Sequence, residues 1–342
     1  MLRARSAKDS AREDDDGRAE FPAVVVNAHR LMLLGASSKS CCGRQAPNGR
    51  NGASGRSVCK SQLVLRGDDP VDRVGRLANL ARWDEAAPLH AQSALYDLES
   101  FRAGRDDIRP FEHDELGSVE GRDLLHLQCH IGTDTLSWAR HGARVSGLDF
   151  SPNAIDIART LAAECAIDAK FWCADVYDAL EAVDGRRFDV VYTGIGALGW
   201  LADLRSWAHI VGELLRPDGV LYLVEIHPLV IGMVNDGRTL ELDVFEAGFV
   251  RWDGKGGTYA APDAVLQHNT TYERVHALSE VITAVLDAGL TLELFHEQSY
   301  TNAPWPWTER GDDGYYRLPE GWPRFPLTYS LRARQHGGAT IA

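Results

Sequence analysis

One segment, residues 124–151, constrains the fold of this chain more than any other, because it combines four structural signals in a fixed order. An apolar run that begins at Leu124 predicts a buried strand, and Gly132 lies in the turn that follows it. A short helical stretch then leads to a second apolar run, which ends at Asp149. A strand, a turn, a helix and a second strand in this order predict a parallel βαβ unit.

Such a unit is typical of a binding site for an adenosine-containing ligand. Its turn places backbone N–H groups and a helix N-terminus over the ligand. An acidic residue at the tip of the second strand can accept both hydroxyls of a ribose. One short helix and one strand separate Gly132 from Asp149, which suits this arrangement. We therefore predict that Asp149 binds the ribose; the alternative is an ordinary acidic residue in a surface turn.

Further strand and helix signals extend this unit into a larger α/β sheet. The predicted strands lie at residues 121–128, 143–149, 170–175, 188–192, 220–226, 290–295 and 327–332, and the predicted helices at 133–141, 151–166, 201–215 and 278–288. Strands that alternate with helices predict a doubly wound, Rossmann-like, mostly parallel sheet. The last strand follows a long loop and is expected to add one antiparallel strand at the edge.

Composition excludes several classes of protein. A formal net charge of −13 argues against a general nucleic-acid binder, which needs concentrated Lys and Arg. The sequence has no run of about 18 apolar residues, so no membrane span is expected. The six cysteines form no Cys-x-x-Cys pair, which favours reduced thiols and a cytoplasmic location. Nothing in the sequence indicates an oligomeric state.

Five short motifs, in register along the chain, resemble those of the class I S-adenosylmethionine-dependent methyltransferases, most of all a bacterial group that acts on small molecules. They lie at 127–132, 147–152, 174–176, 188–192 and 214–219, within a resemblance that covers residues 76–334. The resemblance implies a seven-stranded sheet with a reversed last strand, and S-adenosylmethionine as cofactor. It also implies direct displacement of a methyl group onto a small-molecule acceptor.

The first turn departs from the family pattern of acid-x-Gly-x-Gly-x-Gly. Here His126, Gln128 and His130 replace the acidic residue and the first two glycines, and Gly132 remains. One interpretation is that Gln128 and His130 contact the carboxylate or amine of the cofactor with their polar tips. The alternative is that these side chains block the pocket and that cofactor binding is lost.

Four more residues are candidates for cofactor binding. The resemblance implies that Asp175 and Val176 meet the amino group and ring face of the adenine, although Asp175 also suits a helix N-cap. Phe150 either covers the adenine or belongs to the core. Thr193 begins a glycine-rich turn after the fourth strand, which is expected to reach the pocket.

Glu225 and His227, at the tip of the fifth strand, are the candidates for catalysis. Alternate residues of a strand share one face, so we expect these two side chains to lie together. A base is needed only when the acceptor must lose a proton, and His227 has a reference pKa near neutrality. A structural hydrogen bond is the main alternative. Metal binding by the pair lacks an evident third ligand.

The resemblance and the composition together divide the chain into five parts. Residues 1–70 are polar and glycine-rich and are expected to be a disordered leader. Residues 71–120 form a predicted helical lid, in which Pro88 breaks residues 73–96 into two helices. Residues 121–228 form the cofactor-binding core, residues 229–334 form inserts on the substrate side that complete the sheet, and residues 335–342 form a tail.

Two other functions remain open at this stage. An NAD-dependent oxidoreductase also uses a strand, a turn, a helix and an acidic residue, but its turn requires Gly-x-Gly-x-x-Gly. A catalytically silent member of the methyltransferase fold would bind a cofactor or partner without reaction. The sequence does not identify the acceptor atom, which can be oxygen, nitrogen, carbon or sulfur.

Overall fold

The computed structural model describes residues 70–336, apart from residues 234, 246, 247 and 255. The predicted leader therefore lies outside the described residues except for residue 70. Only the first two residues of the predicted tail are described. No helix within the described ranges is long and apolar enough to cross a membrane.

The described chain alternates strands and helices through its first half and adds short strands in its second half. In chain order, the strands are β1 Asp123–Leu127, β2 Arg144–Asp149, β3 Ala169–Cys173, β4 Phe188–Thr193, β5 Leu215–Ile226, β6 Val250–Asp253, β7 Thr270–Glu273, β8 Leu290–Gln298, β9 Tyr300–Thr301, β10 Glu309–Arg310, β11 Tyr316–Arg317 and β12 Thr328–Gln335. The helices are α1 Pro70–Ala91, α2 Leu98–Arg102, α3 Pro110–Leu116, α4 Thr133–Arg140, α5 Pro152–Glu164, α6 Ala179–Ala182, α7 Leu204–Leu214, α8 Pro228–Gly232 and α9 Leu278–Asp287.

The main sheet has seven strands in the order β3-β2-β1-β4-β5-β12-β8, which confirms the predicted mostly parallel α/β fold with one reversed strand. The reversed strand is β12, which runs antiparallel to both of its neighbours. It lies one position inside the edge, because the chain returns from β8 through residues 299–327 and pairs between β5 and β8. Leu331 is thus opposite Leu223 on one side and Phe295 on the other.

Both faces of the sheet are apolar because helices cover both. Leu125 and Leu127 of β1 pack in a cluster with Trp207 of α7 and Val281 of α9. Leu124, on the opposite face of the same strand, belongs to a cluster with Trp138 of α4. Burial of each large side chain contributes about 1.5–3 kcal/mol. The strand tips are therefore held in a well-packed frame.

Helix α1 corrects one prediction, because it continues through Pro88 and ends at Ala91. A proline inside a helix has no N–H to donate to the carbonyl four residues earlier. Here that carbonyl belongs to Asp84, and Asn153 Nδ2 donates to it at 2.9 Å. A side chain from α5 thus supplies the missing hydrogen bond.

The inserts lie over the carboxyl ends of the parallel strands. Strands β6 and β7 form a two-stranded antiparallel sheet, and β9, β10 and β11 form a three-stranded one. Asn79 of α1 exchanges two hydrogen bonds of 2.8 Å with the backbone of Tyr272 in β7. Helix α1 and the β6–β7 sheet therefore form one cover.

We expect Asp84→Ala to lower the free energy of unfolding by about 1–3 kcal/mol, because a carboxylate that accepts several hydrogen bonds is lost. The Asp84 carboxylate accepts from Ser151 Oγ at 2.8 Å and from the backbone N of Asn153 at 2.9 Å. Urea unfolding measures the change. Asp156→Ala, a loss of an exposed aspartate on α5, is the matched control. Equal stability of the two variants would contradict the docking role of Asp84.

Candidate functional site

A cavity of about 730 Å³ lies at the carboxyl ends of the parallel strands, under the cover formed by α1 and the β6–β7 sheet. Seven of the eight residues predicted to bind the cofactor line it. They are Gln128, His130, Gly132, Asp149, Phe150, Asp175 and Val176. Ligands of open parallel sheets bind at this end of the strands.

The first turn keeps the backbone of a glycine-rich turn although two of its glycines are replaced. Gln128, His130 and Gly132 have φ values of 58°, 49° and 81°, in the left-handed region. For a residue with a side chain this conformation costs about 1–2 kcal/mol. At Gly132 a Cβ atom would lie 3.0 Å from Ala158 Cβ and 3.2 Å from the Phe171 ring. A side chain at this position would be crowded by both neighbours.

Gln128 reaches across the cavity floor to the turn that follows β4. Its Nε2 donates to the carbonyl oxygen of Ala197 at 2.9 Å. Its Oε1 is buried and has no hydrogen-bond partner among the described residues. An unpaired buried acceptor is costly, so this oxygen suits a ligand that carries a hydrogen-bond donor.

His130 forms a pair with His90 of α1 under the cover. His90 Nδ1 and His130 Nε2 are 2.9 Å apart. Burial lowers the pKa of His90 to about 2 and that of His130 to about 4, so both rings are neutral near pH 7. The buried Nε2 of His90 has no hydrogen-bond partner in the described part of the chain. The rings of Trp83 and Tyr96 contact this pair, with centroids 5.4–5.8 Å away.

Asp149 joins the tip of β2 to the first turn. Its Oδ2 accepts from the backbone N of His130, and its Oδ1 accepts from that of Ser151, both at 2.9 Å. Burial raises the pKa of this carboxyl group to about 6. Each carboxylate oxygen can accept a second hydrogen bond, so a ribose diol can still be bound.

The three residues assigned to the adenine all line the cavity. Asp175 caps the short 3₁₀ helix Val176–Asp178, because its Oδ1 accepts from Tyr177 N at 3.0 Å. Its Oδ2 lies 3.4 Å from Arg76 Nη1. Asp175 is therefore the N-cap of this short helix, as the alternative prediction stated, and it also lines the cavity. Val176 is buried and Phe150 is half-buried.

Thr193 is the one predicted cofactor residue that the structure places outside the lining. It is fully buried at the end of β4, where it pairs with Leu127 and Leu223 in the middle of the sheet. The following residues, 194–197, line the cavity instead. The turn thus reaches the pocket as expected, but begins to do so one residue later.

Glu225 holds that turn in place. Its two carboxylate oxygens accept hydrogen bonds from the backbone N atoms of Gly196, Ala197, Leu198 and Ile226, at 2.6–2.9 Å. Burial raises its pKa, while these bonds lower it. Glu225 is not among the residues that line the cavity. The geometry therefore favours a positioning role over a catalytic one.

His227 does not share the environment of Glu225, because β5 ends at Ile226 and the alternation of a strand stops there. Its Nδ1 accepts from Leu229 N at 3.2 Å and caps α8. Its Nε2 lies 3.0 Å from Glu297 Oε1, and the ring lies outside the cavity lining. Catalysis by His227 stays a prediction, and these contacts favour a structural role.

Asp134 is a lining residue that sequence reasoning missed. It occupies the first turn of α4, and its Oδ2 lies 3.5 Å from Tyr192 Oη. A Cβ atom on Gly194 would lie 3.4 Å from both Asp134 Oδ2 and His126 Nε2, so these groups meet at the turn after β4. An acidic residue in the first turn of a helix is common, so the sequence alone carries no signal of a site.

Burial raises the pKa of Asp134 to about 7. Arg109 opposes the shift, while the negative charges of Asp107 and Glu112 add to it. Arg109 forms a buried ion pair with Glu112, which also accepts from Tyr192 Oη at 2.8 Å. Asp134 is therefore a carboxyl group that exchanges a proton near neutral pH at the cavity wall.

Comparisons with known proteins found a family model, curated relatives and solved structures to which this chain is similar. A family model described as a methyltransferase domain matches residues 125–221. A ubiquinone biosynthesis O-methyltransferase of Methylobacterium nodulans is 25% identical over 231 residues, which cover 65% of this chain and 82% of that protein. Its counterpart in Alkalilimnicola ehrlichii is 31% identical over 144 residues. That match covers 41% of this chain and 56% of the relative, so the chain spans little more than half of the relative's length.

A solved structure of an S-adenosylmethionine-dependent methyltransferase from Mesorhizobium loti is 18% identical. The match covers 66% of this chain and 96% of the Mesorhizobium loti chain, with a TM-score of 0.44. The matched residues 125–221 run from β1 to β5 and include the first turn, Asp149 and Asp175. The domain match and the named relatives support the predicted methyltransferase family.

We expect Asp134→Asn to raise the free energy of unfolding at pH 8. The folded pKa of about 7 exceeds the usual 3.8, so ionisation favours the unfolded chain as pH rises between these values. The gain should therefore shrink toward pH 4. Urea unfolding at several pH values measures it, with Asp156→Asn on the exposed face of α5 as control. If the gain in free energy of unfolding does not grow with pH, or grows equally in Asp156→Asn, the raised pKa assigned to Asp134 is wrong.

Proposed function

We propose that this class I S-adenosylmethionine-dependent methyltransferase transfers a methyl group to the oxygen of a small-molecule acceptor. The observation that carries the proposal is the convergence of seven predicted cofactor residues on one cavity at the carboxyl ends of the strands. A net charge of −13 favours a metabolite over a nucleic acid as the acceptor. A cytoplasmic location stays part of the proposal.

The cavity offers groups that fit each part of the cofactor. Asp149 suits the ribose diol, since a carboxylate has about four acceptor positions, more than its backbone hydrogen bonds use. Phe150, Asp175 and Val176 suit the adenine along the adjoining wall. The unpaired Oε1 of Gln128 suits the amino group of the methionine part.

Two features favour methionine binding close to His130. The His90–His130 pair is uncharged at neutral pH, so it does not repel a cationic sulfonium. The aromatic rings of Trp83 and Tyr96 stand beside the pair, and aromatic faces attract cations. The replaced glycines of the first turn are therefore compatible with the cofactor.

Bound there, S-adenosylmethionine supplies an electrophilic methyl group for direct displacement. The chain contributes position, and positioning alone can supply much of the rate. For a hydroxyl acceptor, Asp134 accepts the proton as the oxygen attacks. The relatives named O-methyltransferases support an oxygen acceptor. The turn held by Glu225 forms the wall on which the acceptor rests.

Calorimetry on the intact protein tests the cofactor. Asp149→Asn should weaken S-adenosylmethionine and S-adenosylhomocysteine binding at least tenfold, since a ribose hydroxyl then faces an amide in place of a carboxylate. Asp156→Asn is the control and should bind like the parent. NAD is titrated in parallel: preferential binding of NAD would end the proposal. Binding of no ligand at all would favour a catalytically silent protein.

A second test concerns the proton. With labelled S-adenosylmethionine and a panel of phenols, alcohols, amines and thiols, Asp134→Asn should lower kcat for hydroxyl acceptors by about 10²–10⁴-fold, the usual contribution of a general base. Its dissociation constant for S-adenosylhomocysteine should stay that of the parent protein. If kcat of Asp134→Asn for a phenol equals that of the parent protein across pH 6–9, Asp134 takes no proton.

A further inference from the structure

Three side chains from separate segments converge beside the cavity wall. Asp106 precedes α3, His113 lies in the last turn of α3, and His141 is the C-cap of α4. One ligand atom from each lies within 4.8 Å of the other two. This is the only such group of three or more His, Cys, Asp or Glu residues found among the residues that the structure describes.

The ligand atoms face one another closely. His141 Nε2 is 2.6 Å from Asp106 Oδ2, and His113 Nε2 is 3.6 Å from the same oxygen. The two histidine rings have centroids 3.9 Å apart. His113 Nε2 is buried and makes no hydrogen bond in the described structure, because 3.6 Å exceeds hydrogen-bond length. The group therefore contains a buried nitrogen without a hydrogen-bond partner in the described part of the chain.

Two imidazoles and one carboxylate are a ligand set for zinc and related divalent transition metals, with water in the open position. Bonds of about 2.0–2.2 Å in tetrahedral geometry place ligand atoms about 3.3–3.6 Å apart. The 3.6 Å between His113 and Asp106 is close to this spacing. The 2.6 Å between His141 and Asp106 requires only a small opening.

The surroundings favour a cation and fix the rings. His141 stands at the C-terminal end of α4, where the carbonyl dipoles attract positive charge. The buried ring of Trp138 contacts both histidines, with centroids 5.1 Å from His113 and 6.2 Å from His141. Both rings thus present Nε2 toward Asp106.

We propose that Asp106, His113 and His141 bind one divalent transition-metal ion of the zinc class. The ion ties the segment before α3 to the end of α4. Asp106 and its neighbours Asp107 and Arg109 also line the cavity, so the ion braces one wall of the site. It takes no part in methyl transfer. Without the ion, the Asp106–His141 contact is a simple hydrogen bond at the surface.

The test uses the full chain after treatment with a chelator. Zinc is titrated by calorimetry, and cobalt is followed by visible absorption. We expect one equivalent to bind, with weakening of at least tenfold in His113→Ala and in Asp106→Asn. His209→Ala, an exposed histidine on α7, is the matched control and should bind like the parent. Bound zinc should raise the melting temperature of the parent and the control, but not of His113→Ala.

Cobalt also reports which atoms bind it, because thiolate ligands add intense charge-transfer bands that imidazole and carboxylate do not. We expect those bands to be absent. No binding, equal binding in all variants, or thiolate bands would overturn the proposal. If His113→Ala does not fold, Asp106→Asn keeps the shape of the side chain and provides the same reading. None of these measurements uses S-adenosylmethionine, so they are independent of the proposed methyl transfer.

Discussion

The cavity depends on two hydrogen bonds that the Asp149 carboxylate accepts from the backbone N–H groups of His130 and Ser151. They hold a left-handed turn, which carries two side chains in a strained conformation, against the tip of β2. Strain of this kind persists only where its surroundings impose it. The raised pKa of Asp149 indicates that burial of its charge adds a further cost. The fold thus supports a shaped turn, which is typical of a binding site.

Two groups of lining residues differ in charge, and the proposed reaction uses both. Near the first turn, two neutral histidines and aromatic rings surround the place proposed for the sulfonium. Near the turn after β4, Asp134 lies beside Arg109, Glu112 and Tyr192, and its proton is exchangeable at neutral pH. Groups that tolerate a cation and a group that accepts a proton therefore line the same cavity, as displacement from a sulfonium to a hydroxyl requires.

Sequence patterns predicted the parts that local chemistry determines. Apolar runs located β1 to β5, and Gly132 and Asp149 located the cavity, because strand tips of a parallel sheet meet at one edge. The structure adds to or departs from the sequence-based expectations where distant residues decide the outcome. Asn153 donates the hydrogen bond that Pro88 cannot donate, so helix α1 continues through Pro88. The backbone N–H groups of residues 196–198 donate hydrogen bonds to the Glu225 carboxylate. Asp134 was invisible because its raised pKa depends on burial against residues far apart in the chain.

A crystal structure of the full chain with S-adenosylhomocysteine tests the central claim most directly. We predict both ribose hydroxyls within hydrogen-bond distance of the Asp149 carboxylate, with the adenine beside Val176 and the amino group beside Gln128. A nucleoside bound elsewhere, with Asp149 contacting only His130 and Ser151, would contradict the assignment of this cavity.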